Sequence, residues 1–465
     1  MNPRRHFLKT TLGGTAGMIA LPHLFSGSLF AADSPNKRIQ VAQIGCGRMG
    51  LEDMADVLNV PLARVVAVCE LDSKRAAEGK RRIVEFYKEK GEANVEVKVY
   101  SDYRELLADS EIDAVVISTP DHWHGLMAVE AALAGKHMYV QKPLTYNIAE
   151  AIALRTAVRA KKVILQTGSQ QRSERPFTAF RPAIEAVMNG RLGKLKSVHI
   201  GIGLDKPSGK KPVAMPVPAT FNFDQWLGPA PQQEYMEGRC HPQDSFSGRP
   251  GWITTEDFGL GMITNWGAHH LDIAQLAMGQ QLGGPSVVEA KVDFMTNDMW
   301  TVHHGYHVEM LYPDNVQVIL DDKFENGLKF EGEEGWIFCT RGAVKVTASD
   351  GDVKGDGKSA LRASKPNLIE PLGADAKRLA GSKDHKVNWI ESIIATRDPI
   401  ANVDESARSL EACCVAWIAM KLGRKVTWDV ATESFPGDAE ANALCNRTPR
   451  RAEFDIAAVM KKAGL

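Results

Sequence analysis

Three glycines, Gly45, Gly47 and Gly50 in the run GCGRMG, stand directly after a β-branched stretch, RIQVAQI, and directly before a helix-like one. That spacing suits a phosphate-binding turn: a tight reversal at the first glycine, a bare backbone for a pyrophosphate at the second, and close helix packing at the third. The expected contacts of such a loop are Gly45, Cys46, Gly47, Arg48, Met49 and Gly50. Glu70 closes the next strand-like run, ARVVAVCE, where a carboxylate accepts hydrogen bonds from ribose hydroxyls. An acid there repels a 2′-phosphate, so NAD is expected ahead of NADP, although Arg48 and Lys74 would suit a phosphate and Asp72 is a second candidate acid.

Further polar clusters close other strand-like runs. TPDHWH (Thr119 to His124), QKP (Gln141 to Pro143) and GSQQRS (Gly168 to Ser173) each fall where a parallel sheet presents its carboxyl ends to ligands, and NWGAHHLD begins at Asn265. Hydride leaves a carbinol carbon only as its hydroxyl proton is taken, so alcohol oxidation needs a base within hydrogen-bond reach. A histidine titrates in the right range for that task. His122, His124, His269, His270 and Asp272 are also of the types that bind zinc, but His122 and His124 alternate in what reads as a loop, and no metal is expected.

The elements that must hold these groups follow from periodicity. From Lys37 to Gln166 strand-like runs (RIQVAQIG, ARVVAVCE, VEVKVY, IDAVVIS, HMYVQKP) alternate with helix-like ones (Met49 to Leu58, Ser73 to Lys90, Trp123 to Ala134, Tyr146 to Ala160). This is the pattern of a doubly wound parallel sheet. Past Gln166 come longer alternating strands such as KLKSVHIGIG, SVVEAKVDFM and VQVILDD, the pattern of a mainly antiparallel sheet. The α/β chain therefore divides into 1–32, 33–168 (a Rossmann domain) and 169–465 (an α+β domain with a large, mainly antiparallel sheet).

Residues 1–32 resemble a twin-arginine export signal: Arg4 and Arg5 precede Phe7, Leu8 and Lys9, and a Gly- and Thr-rich apolar stretch follows. A periplasmic location is the resulting expectation. No later run has 18 consecutive apolar residues, so no membrane span is expected beyond the signal. A formal net charge of −1 disfavours nucleic acid as a partner. Seven scattered cysteines, an odd number without a CxxC pair, imply neither a disulfide framework nor a zinc ribbon.

In combination, the glycine loop, TPDHWH, QKP, GSQQRS and NWGAHHLD resemble the Gfo/Idh/MocA oxidoreductases, from about Lys37 to the closing WDVATESFPGDAEANALCNRTPRR. The resemblance implies an NAD-linked oxidoreductase acting on a secondary hydroxyl of a sugar, glycoside or inositol-like substrate, assembled as a homodimer or homotetramer through its C-terminal sheet. It places Lys142 beside the nicotinamide, with Gln141 where the family has glutamate, and puts the family's Asp-x-x-x-His motif on Asn265 and His269. An amide cannot support an imidazolium as an anion would, so His269 should be less basic than in an Asp-paired site. Thr119, Pro120, His122, Gln141 and Lys142 are implied at the cofactor, and His124, Gln171, Arg172, Trp266 and His270 at the substrate. Two other readings are a redox-neutral glycosidase or lyase that works through a transient keto-sugar, and a sugar-binding relative without catalysis. Trp226, Trp252, Trp266 and Trp300, with Tyr235 and Arg249, could stack on a sugar ring or anchor a core.

Overall fold

A computed structural model describes residues 38–92, 94–342 and 359–465; the twin-arginine segment lies outside the described residues. Residues Ile39–Leu465 form one unit. Its first sheet is built from β1 (Ile39–Ile44), β2 (Ala63–Cys69), β3 (Lys98–Tyr100), β4 (Ala114–Ile117), β5 (His137–Val140) and β6 (Leu165–Thr167). The strands run in the order β3-β2-β1-β4-β5-β6 and every pairing is parallel. Helices α1 (Arg48–Leu58), α2 (Ser73–Glu89), α3 (Tyr103–Ala108), α4 (Asp121–Leu133) and α5 (Ile148–Lys161) connect them. β4, AVVI, is buried at all its positions, as a parallel strand covered on both faces must be. Asp72 caps α2 by accepting a hydrogen bond from the Lys74 N–H, and Asn147 caps α5 through the Glu150 N–H.

Strand order reverses between β1 and β4, which opens a crevice at the carboxyl ends of those strands. Gly45 turns the chain there with φ +86°, a region that disfavours side chains, and a Cβ at Gly50 would lie 1.9 Å from the Gly45 carbonyl oxygen. Helix α4 begins two residues before the expected Trp123, so His122 and His124 ride on a helix and not in a loop. Of VEVKVY only Lys98–Tyr100 pairs with β2.

The second half adds α6 (Phe180–Met188), β7 (Leu195–Gly201), α7 (Phe223–Leu227), α8 (Met262–Asn265), α9 (Gly267–Ala277), β8 (Val287–Phe294), β9 (His303–Leu311) and β10 (Gln317–Asp321). It continues with β11 (Gly327–Gly332), β12 (Trp336–Cys339), β13 (Leu361–Ala363), α10 (His385–Ala395), α11 (Val403–Leu422) and β14 (Val426–Thr427). An eight-stranded sheet results, in the order β13-β12-β11-β7-β10-β9-β8-β14, antiparallel except where β7 meets β10. Val288, Ala290, Val308 and Met310 are buried in one cluster with Leu271 and Ala274 of α9 and Leu410 and Cys414 of α11, while Glu289, Lys291 and Glu309 face out. This is the period of two that the sequence showed.

One feature crosses the expected boundary at 168. Trp389, Ile390 and Ile393 of α10 lie in the same buried cluster as Val41, Val65, Val116 and Tyr139, so a helix from the far end of the chain completes the core of the first sheet. Truncating the fully buried Trp389 to alanine costs about 3–5 kcal/mol. All seven cysteines are unpaired, and Cys413 and Cys414 are buried on α11.

Candidate active site

A cleft opens at the crevice between β1 and β4. Gly45, Gly47, Arg48, Met49, Glu70, Thr119, Pro120, His124, Gln141, Lys142 and Asn265 line it, so the structure gathers most of the expected positions around one space. Gly47 is the N-cap of α1 without any side-chain cap, and a Cβ placed on it meets nothing within 4 Å. Gly47 thus leaves room at the N-terminus of α1, the helix end that suits a pyrophosphate. Glu70 Oε2 accepts from the Cys46 N–H at 2.7 Å, and its other oxygen accepts from the Leu71 and Asp72 N–H groups at 2.8 and 3.1 Å. These bonds fix the carboxylate at the rim where ribose hydroxyls would lie. The residues present thus fit a dinucleotide.

Asp72, the second candidate acid, does different work. Its Oδ2 bonds His241 Nε2 at 3.0 Å and accepts from Gln243 Nε2 at 3.2 Å, and Arg75 donates to the Pro242 and Ser245 carbonyls at 2.7 and 3.0 Å. A segment of the second half is thereby tied across the adenosine end of the cleft, where His241, Gly248 and Pro250 join Glu70 and Leu71 in its lining. Lys74, which would have suited a 2′-phosphate, donates to the Gln243 carbonyl instead.

At the other end, Lys142 Nζ donates to Asn265 Oδ1 at 2.5 Å, joining the end of β5 to α8. Behind Lys142 lies a buried network. Gln141 Oε1 accepts from the Lys142 N–H at 3.0 Å, and Gln141 Nε2 donates to both oxygens of Asp53 on α1, at 3.2 and 3.0 Å. Asp53 also accepts from Ser118 Oγ at 2.7 Å and from Lys386 Nζ of α10 at 2.6 Å, with that ammonium 3.1 Å from the centre of the Tyr139 ring. A carboxylate, Asp53, is thus already present behind Gln141, and an amide there donates to it where an ionised glutamate would repel it. His124 reaches the Pro143 and Thr119 carbonyls at 2.7 and 3.0 Å, tying the TPDHWH turn to the lysine turn; burial pushes its pKa down to about 4.

Several expected site residues do not reach the cleft surface. Cys46 is fully buried and Gly50 packs on Gly45, so both serve the turn and not its open side. His122, expected at the cofactor, is fully buried against Trp226 and Phe258, and burial first, then the Arg447 charge, lowers its pKa to about 3. The expected substrate residues Gln171, Arg172, Trp266 and His270 are buried and do not line the cleft. Arg172 donates to Asp272 and to Glu405, a buried ion network. Gln171 bridges Arg341 and His270, and the Arg341 guanidinium lies 4.4 Å from the centres of both Phe177 and Trp266. His269 is buried, its Nδ1 without a partner among the described residues, and burial, reinforced by Arg341 and Lys142, holds it well below the usual histidine range. The direction agrees with the loss of the family's aspartate, but burial is the larger cause.

Asp53 and Lys386 carried no role in the sequence patterns, Asp121 appeared there only as part of TPDHWH, and of the His241 to Pro250 segment only Arg249 was singled out, which pairs with Asp205 at 2.6 Å. Asp53 left a usable signal, an acid on the buried face of α1 between Gly50 and Val57. Lys386, more than 240 residues beyond Lys142, left none. Asp121 lies in the cleft lining at the start of α4, and burial pushes its carboxyl up to about 7 against the lowering pull of Lys142. Of the aromatic candidates, Trp226 and Trp252 line the cleft, while Trp300 donates to the Gly238 carbonyl at 3.0 Å and Tyr235 is buried. Among the described residues, no group of three His, Cys, Asp or Glu side chains is placed to hold a metal, and no helix is long and apolar enough to cross a membrane.

Comparison with known proteins agrees with this geometry. Residues 39–169 match the oxidoreductase family's NAD-binding Rossmann fold, and residues 205–456 match the same family's C-terminal alpha/beta domain. A scyllo-inositol 2-dehydrogenase (NAD(+)) of Bacillus subtilis is 34% identical over 158 residues, which are 34% of this chain and 42% of that protein. A glycosyl hydrolase family 109 protein of a Shewanella species is 32% identical over 161 residues, 32% of this chain and 35% of that protein. The chain thus spans less than half the length of these curated relatives. An aldose-aldose oxidoreductase from Caulobacter crescentus, solved with glycerol, shares the fold with a TM-score of 0.57 at 18% identity, covering 84% of this chain and 99% of that one. The chain belongs to the Gfo/Idh/MocA oxidoreductase family, with an NAD-binding Rossmann domain at residues 39–169.

Proposed function

We propose that the protein is an exported, periplasmic oxidoreductase that uses a tightly held NAD to oxidise a secondary hydroxyl of a sugar, glycoside or inositol-like substrate. The observation that carries this reading is the Lys142–Asn265 bond at the β5 end of a dinucleotide cleft, which sets a cation and an amide side by side where the two halves of the chain meet. NAD, when bound, supplies the hydride acceptor. Lys142 polarises the hydroxyl oxygen and stabilises charge that develops on it, and Asn265 fixes the amine. The Asp53–Gln141 network holds the Lys142 backbone, and Trp252 offers an apolar face to a ring, while Trp226 is buried as a core anchor among Phe221, Phe223 and Phe258. His269, kept neutral, is a weak base and sits off the cleft surface.

The ties from Asp72 and Arg75 across the adenosine end support slow cofactor release, because most affinity differences reside in dissociation. Twin-arginine export carries folded proteins, so NAD loaded beforehand could travel inside, and its regeneration would come from a second substrate or a redox-neutral cycle. The eight-stranded sheet is the surface proposed for self-association. The Shewanella relative favours a second reading, glycoside cleavage through a transient keto-sugar with no net change in cofactor. A panel of inositols, aldoses and aryl glycosides, followed for both reduced nicotinamide and released aglycone, separates the readings: accumulating NADH supports net oxidation, aglycone without it supports the cycle, and neither defeats both.

A further inference from the structure

The family's base position is weakened here, since Asn265 carries no charge and His269 is buried, neutral and outside the cleft lining. The proton of an oxidised hydroxyl still needs an acceptor. Three carboxyl groups line the cleft: Glu70 and Asp102 follow β2 and β3, at the adenosine end, and Asp121 follows β4, beside the β5 end that carries Lys142. Asp121 is 6% exposed, and the chain passes over it as glycine: a Cβ at Gly259 would stand 3.1 Å from Asp121 Oδ2. Resting on the oxidoreductase reading above, we propose that Asp121 is the proton acceptor of this site, a catalytic carboxylate working beside Lys142 in place of the missing aspartate at 265.

In this step the substrate O–H bond breaks and its proton bonds to a carboxylate oxygen of Asp121. The C–H electron pair departs as hydride to the nicotinamide ring, and the O–H electron pair becomes the second bond of the carbonyl. Asp121 ends as a neutral acid and returns the proton when hydride returns, or loses it to water after net oxidation. The charged group acting on Asp121 is Lys142; His122 and His124 on its own helix are buried and neutral, and Phe258 and Gly259 packed beside it bring no charge. A carboxyl that protonates at about 7 is a competent base only above that pH, so turnover should rise through neutrality.

The test uses the full chain loaded with NAD. Infrared difference titration reads the protonated-carboxyl stretch, and turnover is measured from pH 5 to 9 with scyllo-inositol, or with whichever member of the panel above reduces the cofactor. The expected results are a carboxyl band titrating above the ordinary aspartate range that is lost in Asp121→Asn, and a fall in kcat of about 10²-fold in that variant without the pH limb that follows the band. NAD affinity should stay within about threefold, which shows an intact fold, and Asp121→Glu should recover part of the rate. Lys142→Met should move the band to higher pH, because the cation that favours the charged form is gone. No titrating band, or an Asp121→Asn enzyme with wild-type kcat and pH profile, overturns the proposal. A panel in which nothing turns over while the band titrates as expected instead defeats the oxidoreductase reading on which the proposal stands, and the assignment falls with it.

Discussion

Replacing Gln141 by glutamate restores the family residue and should nevertheless destabilise this protein. The new carboxylate would stand where the amide nitrogen now donates to Asp53 at 3.0 and 3.2 Å, with both side chains buried and one ammonium, Lys386, to share. Two unit charges about 4 Å apart repel by about 4 kcal/mol at an effective dielectric of about 20. Binding a proton avoids that repulsion, at a cost of about 1.4 kcal/mol for each pH unit above the ordinary glutamate value of about 4.3. That route costs about 2 kcal/mol at pH 6 and about 5 kcal/mol at pH 8. The cheaper route sets the loss, so Gln141→Glu should be about 2 kcal/mol less stable than wild type at pH 6 and about 4 kcal/mol at pH 8. The sign follows from linkage: a carboxyl raised in the folded state keeps its proton while the unfolded chain has lost it, so stability drains away as pH rises. Urea unfolding at the two pH values measures this, and adding Asp53→Asn should remove most of the loss at pH 8. Equal stability of Gln141→Glu and wild type at pH 8, or a loss independent of pH, would refute the assignment of Asp53 as the buried partner of position 141.

Other consequences are simpler to measure. Glu70→Ala should weaken NAD binding by roughly 1–3 kcal/mol, about 5- to 150-fold by calorimetry, because it removes the ribose acceptor and frees the Cys46 N–H it braces. Unchanged affinity would defeat that role. Gly50→Ala forces a methyl to 1.9 Å from the Gly45 carbonyl oxygen, so the turn must open; NAD binding should fall at least about 100-fold with about 1–3 kcal/mol of lost stability, and a variant that binds NAD normally would contradict the close approach. Acid should unfold the protein early. His122, His270 and His385 are lowered to about 3 and His124 and His303 to about 4, chiefly by burial, so below about 6.5 the unfolded chain takes protons that the fold refuses. Asp56, Asp121 and Glu411, raised to about 6, 7 and 7, act in the opposite sense and offset part of this. A net loss of roughly 2–4 kcal/mol per pH unit between pH 6 and 4.5 is expected, and a flat stability profile there would show that these rings are not held neutral.

The doubly wound sheet was legible because its strands are short, apolar and separated by helix-period runs, and the glycine turn because two of its positions tolerate no side chain. Glu70 and Lys142 stood out because each follows a strand at the sheet's ligand end, whereas Asn265, the last residue of α8, stood out only through the resemblance of NWGAHHLD to the family motif. What stayed hidden depends on contacts distant in sequence. Nothing near Lys386 shows that it pairs with Asp53, 333 residues away, or that α10 completes the first core. His122 and His270 carry the residue type of a site but are used inside the protein, where burial keeps them neutral. Asp72 has the composition of a ribose ligand, and only the three-dimensional placement of His241 and Gln243 shows it holding a strap.

The most direct measurement is a single-turnover stopped-flow experiment on the NAD-loaded full chain, mixing it with the inositol, aldose and glycoside panel and following reduced-nicotinamide absorbance. Wild type should show the signal with at least one member, lasting under net oxidation and transient under a redox-neutral cycle, and Lys142→Ala should slow its appearance by about 10²-fold while still binding NAD. No reduced nicotinamide at any time with any member, or an unchanged rate in Lys142→Ala, would contradict hydride transfer at the Lys142–Asn265 end of the cleft.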